Sequence, residues 1–254
     1  MRFFDSHCHL DFPELAKGLS QHLTEAGNVG VSGFLVPGVT LKQSKTLIAF
    51  KHQYLGCYIA FGLHPYFITE HDEDHFDELA ILATEHIDSL TAIGECGIDA
   101  TCDQLNYQQY LFQQHIKLAN ALRLPLIVHH RQSHHLIAQS FKRVPPMNGG
   151  VVHAFSGSLQ QAQYYIEKGF KLGIGGTISY QRANKTKNVV SQVPLNTLLL
   201  ETDAPSMPLE GHQGQINVPK RLADVFTHLC QLRHEPPEEI AEQLYNSSCT
   251  LFRI

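Results

Sequence analysis

The sequence contains no run of 18 or more apolar residues, the length a helix needs to cross a bilayer, so no membrane span is expected. Its six cysteines (Cys8, Cys57, Cys96, Cys102, Cys230 and Cys249) include no Cys-x-x-Cys pair, and no secretory segment precedes the first apolar run. They are expected to be reduced thiols in a cytoplasmic protein. Excess positive charge is missing too. The formal net charge is -5, which argues against non-specific nucleic-acid binding through a basic surface. No proline- or serine-rich linker, internal repeat or low-complexity stretch interrupts the chain, and residues 1–254 read as one domain. A glycine-rich phosphate turn is absent after the first apolar run, where an open doubly wound sheet usually carries one.

That position holds Asp5-Ser6-His7-Cys8-His9 instead. Side chains of an extended strand alternate between faces, so His7 and His9 are expected on one side, able to grip a cation, with Cys8 turned away. Along the rest of the chain, short apolar runs alternate with longer amphipathic ones. Eight of the short runs read as strands: Arg2–His7, Gly33–Pro37, Cys57–Gly62, Ala92–Glu95, Leu126–His129, Gly150–His153, Phe170–Ile174 and Thr197–Leu200. Between them lie helical patterns such as Tyr107, Leu111, His115, Leu118 and Leu122, whose spacings of three and four put one stripe toward a sheet. Strand then helix, repeated along 254 residues of 43% hydrophobic content, predicts a closed parallel (β/α)8 TIM barrel, a fold that takes about 250 residues. Pro236-Pro237 opens a final helix expected to run to about Tyr245.

Active sites of such barrels are built at the C-terminal ends of the strands. Here the first run ends in His7-Cys8-His9, the third in His64-Pro65, the fourth in Glu95, the fifth in His129-His130-Arg131, the sixth in His153 and the eighth in Glu201-Thr202-Asp203. Histidines and carboxylates gathered on so many strand ends point to metal. They exceed the three protein ligands of a single catalytic zinc, so two cations about 3.5–4 Å apart and sharing a ligand are expected. Glu95, from the fourth strand and roughly opposite the first, is the natural bridge. Mixed nitrogen and oxygen ligands suit zinc, manganese or iron; magnesium prefers oxygen, although availability could still place it there.

These segments carry a resemblance. Asp-Ser-His-Cys-His-Leu-Asp at 5–11, Gly-Leu-His-Pro at 62–65, Gly-Glu-Cys-Gly-Ile-Asp at 94–99, Val-His-His-Arg at 128–131, His-Ala-Phe-Ser-Gly-Ser at 153–158 and Leu-Glu-Thr-Asp-Ala-Pro at 200–205 resemble the TatD family of metal-dependent deoxyribonucleases. The likeness runs from residue 2 to 252, and Gly-Gly-Thr-Ile-Ser-Tyr at 175–180 with 207–215 is similar to its YjjV-like branch of uncharacterised members. The resemblance implies that His7, His9, Glu95 and Asp203 hold one divalent ion and Glu95, His129 and His153 the other. It also implies a phosphodiester substrate, single-stranded DNA degraded from its 3′ end. Four departures stand out: Ala100-Thr101 where a tyrosine pair is frequent, His115 for a glutamine, His130 for a small residue, and Tyr66 for a histidine. None falls on a ligand position, so they bear on the substrate rather than the chemistry.

The expected enzyme is thus a metallohydrolase in which two cations activate water, Glu95 bridges them, and Asp203 orients or deprotonates the water. His64, biased toward extended backbone by Pro65, would donate to a phosphate oxygen or protonate a leaving group; the alternative is a rim histidine that caps a loop. Arg131 offers a fork to phosphate or a salt bridge to a neighbouring loop. Ser156 either caps the helix that follows or helps bind an anion at its N-terminus. Residues 181–187 bring Arg182, Lys185 and Lys187 without an acid, after the seventh strand, where barrels often bind phosphate; a solvated basic loop is the alternative. His71, His75, His86, His212, His228 and His234 are expected at the surface, and Cys8 and Cys96 packed as small hydrophobes. Two rivals keep parts of this picture: hydrolysis of another ester, lactone or amide on the same metals, and a non-enzymatic metal- or nucleic-acid-binding protein, against which the full ligand set argues. No obligate protein partner is expected.

Overall fold

The computed structural model describes residues 1–254. Eight strands form one sheet in chain order: β1 (Phe3–Asp5), β2 (Val31–Pro37), β3 (Cys57–Phe61), β4 (Leu90–Asp99), β5 (Leu126–Arg131), β6 (Gly150–Val152), β7 (Phe170–Ile174) and β8 (Leu198–Leu200). The helices are α1 (Pro13–Ala16), α2 (Leu19–Asn28), α3 (Leu41–Gln53), α4 (His75–Glu85), α5 (Leu105–Leu122), α6 (His134–Arg143), α7 (Leu159–Glu167), α8 (Asn184–Gln192), α9 (Leu222–Cys230) and α10 (Pro237–Phe252). The strands are parallel, and Ser6 N–H donates to Leu200 O at 2.9 Å where β1 lies beside β8. This is the (β/α)8 barrel expected from the alternating pattern.

Contacts divide the chain into two compact units, residues 1–36 with 154–254, and residues 37–153. In the first, β1 is buried throughout, and Phe3 packs on Phe226 of α9 with ring centroids 4.8 Å apart. Phe4 meets Phe252 at 5.9 Å, which is why α10 runs on past Tyr245. The segment Asn246-Ser247-Ser248 has weak helix propensity, but Ser247, Ser248 and Phe252 are all buried, and tertiary packing overrides propensity. β1 itself stops at Asp5 rather than His7. The Asp5 carboxylate, wholly buried, accepts Thr202 N–H at 3.0 Å and Thr202 Oγ–H at 2.6 Å, tying the end of β1 to the segment after β8. Burial pushes this carboxyl up to about 8 against those hydrogen bonds. Beyond Asp5 the chain leaves the ladder, and Cys8 N–H donates to Leu35 O.

In the second unit the notable departure from expectation is β4. Its ten residues are buried at every position, and it continues four residues past Glu95. The continuation pairs with β5 as Cys96 with Val128, Gly97 with His129, Ile98 with His130 and Asp99 with Arg131, after a register irregularity between Ile93 and Cys96. Gly97 permits this approach. It has φ +151°, and a Cβ there would lie 2.1 Å from His129 O. Cys96 Sγ turns to Ile127 O at 3.6 Å, packed as a small hydrophobe with no exposed surface.

Gly97→Ala should therefore force β4 and β5 apart. Overpacking of this kind costs about 1–3 kcal/mol, to which backbone strain at positive φ adds. A thermal melt should show a clearly lowered midpoint; a variant that melts with the wild type would mean the two strands are not held as closely as described.

Candidate metal centre

Each unit holds a cluster of nitrogen and oxygen donors: in the first they stand on the segments past β1 and β8, in the second on β4, β5 and the segment after β3. In the first unit, His7 Nε2 and His9 Nε2 lie 3.2 Å apart, and Asp203 Oδ1 is 3.8 Å from the former and 3.6 Å from the latter. The pair meets through the turn after β1, not as alternate residues of a strand. Backbone bonds lace that turn to the one after β8: Asp203 N–H donates to His7 O at 2.9 Å, and His9 N–H to Ala204 O at 2.8 Å. Asp203 sits at φ +57°, a left-handed conformation unusual for a residue with a side chain. Phe12 stacks on the His9 ring at 4.5 Å, and Cys8, wholly buried, points its sulfur toward Ala204 O. Glu201, also at a strand end, does not join the cluster in this unit. Its Oε1 accepts Ala154 N–H at 2.6 Å, and its carboxylate fills the space a Cβ on Gly173 would need.

In the second unit, His64, Glu95 and His129 offer donor atoms within 4.8 Å of one another. Glu95 Oε1 is 3.0 Å from His64 Nε2 and 3.1 Å from His129 Nδ1. The two histidines play different parts. His64 Nδ1 accepts the backbone N–H of Tyr66 at 3.0 Å, so in the neutral ring the proton is on Nε2, directed at Glu95. Burial, only partly offset by Glu95, pulls its pKa down and keeps the ring neutral. His129 instead lies between two carboxylates, with Nε2 3.2 Å from Asp99 Oδ2. Its pKa is raised: burial opposes the charge, but hydrogen bonds to Asp99 and Glu95 outweigh it. For Asp99, burial by itself would raise the pKa, yet bonds from His129 and from Thr101 N–H and Oγ–H hold it well below the usual carboxylate range. His153, 5% exposed, lies near enough to bias the charge of both His64 and His129.

The donor separations fit a cation. Ligands held at about 2.0–2.2 Å from one ion stand roughly 3–3.8 Å apart, as these do. His129 also carries, on Nε2, the Asp99 carboxylate partner that histidines ligating a metal through their other nitrogen usually have.

Asp99 is a residue that sequence reasoning missed. Nothing in Gly-Ile-Asp marks it until the extension of β4 sets it beside β5. His71, expected at the surface, is buried, with Nε2 3.0 Å from His64 O. His115, wholly buried on α5, accepts Leu63 N–H on Nε2 and bonds Leu111 O through Nδ1, bracing the backbone that carries His64. Other candidates lie farther out. Arg131 has a 59% exposed side chain, with Nη1 3.9 Å from Asp99 Oδ2. Ser156 is exposed and caps nothing, since Ser158 and Gln161 form the capping box of α7. Lys185 is exposed beside a groove that Ser156 also lines, whereas Lys187 is half-buried on α8 and does not line it.

The family model described as TatD related DNase matches residues 4–253. An uncharacterized metal-dependent hydrolase of Escherichia coli (strain K12), YjjV, is 42% identical over 255 residues, covering 100% of this chain and 98% of the relative. The crystal structure of that TatD homologue superposes with a TM-score of 0.96 over 100% of this chain and 98% of its own. A 3′-5′ ssDNA/RNA exonuclease TatD of Pantoea sp. (strain At-9b) is 28% identical, with 99% of each chain covered.

Asp99→Asn should preserve the fold but weaken the hold on His129, lowering affinity for a divalent ion about 10- to 100-fold in competition with a chelating dye. Unchanged affinity would leave Asp99 a purely structural residue. A second expectation concerns His115, whose pKa burial pushes down to about 4 from an ordinary value of 6.5. A group depressed on folding gives stability that is present above the unfolded pKa and lost as pH falls toward the folded one. The wild-type denaturation midpoint should fall between pH 6.5 and 4, and His115→Gln should flatten that part of the profile.

Proposed function

The chain belongs to the TatD-related DNase family of metal-dependent hydrolases, and from that premise we propose that it hydrolyses phosphodiester bonds of single-stranded DNA from the 3′ end. The observation that carries the reading is the pair of donor clusters at ligand spacing, His7, His9 and Asp203 in one unit and Glu95 with His129 in the other. We assign His7, His9, Glu95 and Asp203 to one divalent ion, and Glu95, His129 and His153 to a second, zinc, manganese or magnesium. When bound, such ions would acidify water and neutralise charge growing on the phosphoryl oxygens. The protein residues do the rest. Asp203 accepts the proton of the attacking water, whose oxygen bonds to phosphorus as the bond from phosphorus to the 3′ oxygen of the shortened strand breaks. His64, with its proton held on Nε2 by the Tyr66 N–H, is a hydrogen-bond donor rather than a ligand or an acid; it would steady the departing oxygen, which takes its proton from water.

Support for a nucleic-acid strand comes from relatives. The similar proteins named 3′-5′ ssDNA/RNA exonuclease share 28% of their residues with this chain along nearly its whole length. Barrel loops admit a flexible single strand more readily than a duplex. With a net charge of -5, attraction must be local, and we assign it to Arg131, Ser156, Lys185 and, more remotely, Lys187.

A single-stranded oligonucleotide labelled at its 5′ end, incubated with magnesium, manganese or zinc, should give a ladder shortening from the 3′ side. A 3′-phosphate should slow it. Asp203→Asn should lower kcat by about 10²–10⁴ with metal still bound. Equal cleavage of a circular single strand would sink the exonuclease reading, and no cleavage with any of the three metals would point to another ester or an amide.

A further inference from the structure

Apart from the donor clusters, the first unit contains a groove of about 630 Å³ between the loops that follow β6, β7 and β8. Its lining is mixed. It includes Arg182 and Lys185, with no acidic residue lining the groove. Thr186, 3% exposed, lines the same groove. Thr186 belongs to the first turn of the nine-residue helix α8, whose N-cap, Ala183, supplies no side-chain cap. The first N–H groups of that helix are thus open to an acceptor. Tyr180, Met207 and Pro208 add apolar surface to the same lining. Tyr180 is fixed by its hydroxyl, which donates to Pro208 O at 2.7 Å; the Arg182 guanidinium lies over its ring at 5.2 Å, and Met207 is 38% exposed.

The loop bearing Asp203 continues into Met207, and Asn217 Nδ2 clamps it by donating to Thr202 O at 2.9 Å and Met207 O at 3.4 Å. The groove is therefore anchored beside Asp203. An anion by itself would leave the apolar lining unused, and an apolar ligand would leave two cations unmet. A nucleotide uses both: its phosphate meets Lys185, Thr186 Oγ and the α8 amides, and its base lies on the surface made by Tyr180, Arg182 and Met207.

We infer that this groove is a nucleotide subsite, holding the phosphate and base of the nucleotide adjoining the scissile bond, an inference that rests on the phosphodiesterase reading for its role though not for its ligand. The test is calorimetric titration of the full-length protein, in chelator so that bound metal does not compete, with thymidine 5′-monophosphate, inorganic phosphate and thymidine. The monophosphate should bind at least ten-fold more tightly than either fragment. The double variant Lys185→Ala/Thr186→Val should lose five-fold or more for both phosphate-bearing probes, and Arg182→Ala only for the nucleotide. A monophosphate that binds no better than phosphate, or that binds both variants as it binds wild type, would overturn the subsite. Catalysis is read separately: nucleotide binding that follows the variants while no metal restores cleavage of DNA leaves the subsite standing and removes the nuclease reading, whereas full cleavage with variant-independent binding removes the subsite alone.

Discussion

Glu95 is 2% exposed in the middle of a strand buried at all ten positions, and an ionised carboxylate in such a place is tolerated only when its charge is met. Much of the second unit reads as the answer to that requirement. His64 turns a proton toward it, fixed by a backbone amide that no titration can remove. His129 meets it from β5, and is itself steadied by Asp99, whose own charge is held by Thr101. Behind this layer His71 and His115, both neutral and buried, secure the backbone on either side of His64. Removing this carboxylate would therefore leave not one orphaned group but a chain of donors facing nothing. A buried polar network of this sort is stable only when every member is satisfied.

The departures from the family pattern gain meaning in this light. Thr101, standing where a tyrosine is frequent, gives Asp99 both its amide and its hydroxyl, at 2.8 and 2.6 Å. His115, in place of a glutamine, supplies an acceptor to Leu63 N–H, a task an amide oxygen could also perform. Tyr66, by contrast, has a 67% exposed side chain, and only its backbone amide serves the site. Two of the substitutions thus lie in the scaffolding of the donors rather than on the substrate path, where the sequence suggested all of them would act.

The alternation of short apolar runs with amphipathic ones was enough to read the barrel, because strand and helix periodicities are local properties. The same holds for His7, His9, His129 and Asp203, each of which adjoins such a run. What could not be read was anything that depends on pairing register. The expected strand Ala92–Glu95 stops where its apolar content stops, but β4 continues because Gly97 lets β5 approach, and only then does Asp99 reach His129. His71 carries the same lesson, since its burial comes from contact with the His64 carbonyl seven residues back and leaves no mark in local composition. Thr186 looked like part of a solvated basic loop, and its burial follows from the packing of α8 alone.

The length of β4 has a consequence for how the protein would come apart. Its amides belong to the stretch most enclosed on every face, the kind of segment that exchanges with solvent deuterium only through global opening. The turns bearing His7, His9 and Asp203 lie outside regular strands, where backbone protection is usually weaker. As temperature rises, the donors of the two units would then part company in time: the first set loosens by local fluctuation, while Glu95 and His129 keep their places until the barrel itself opens.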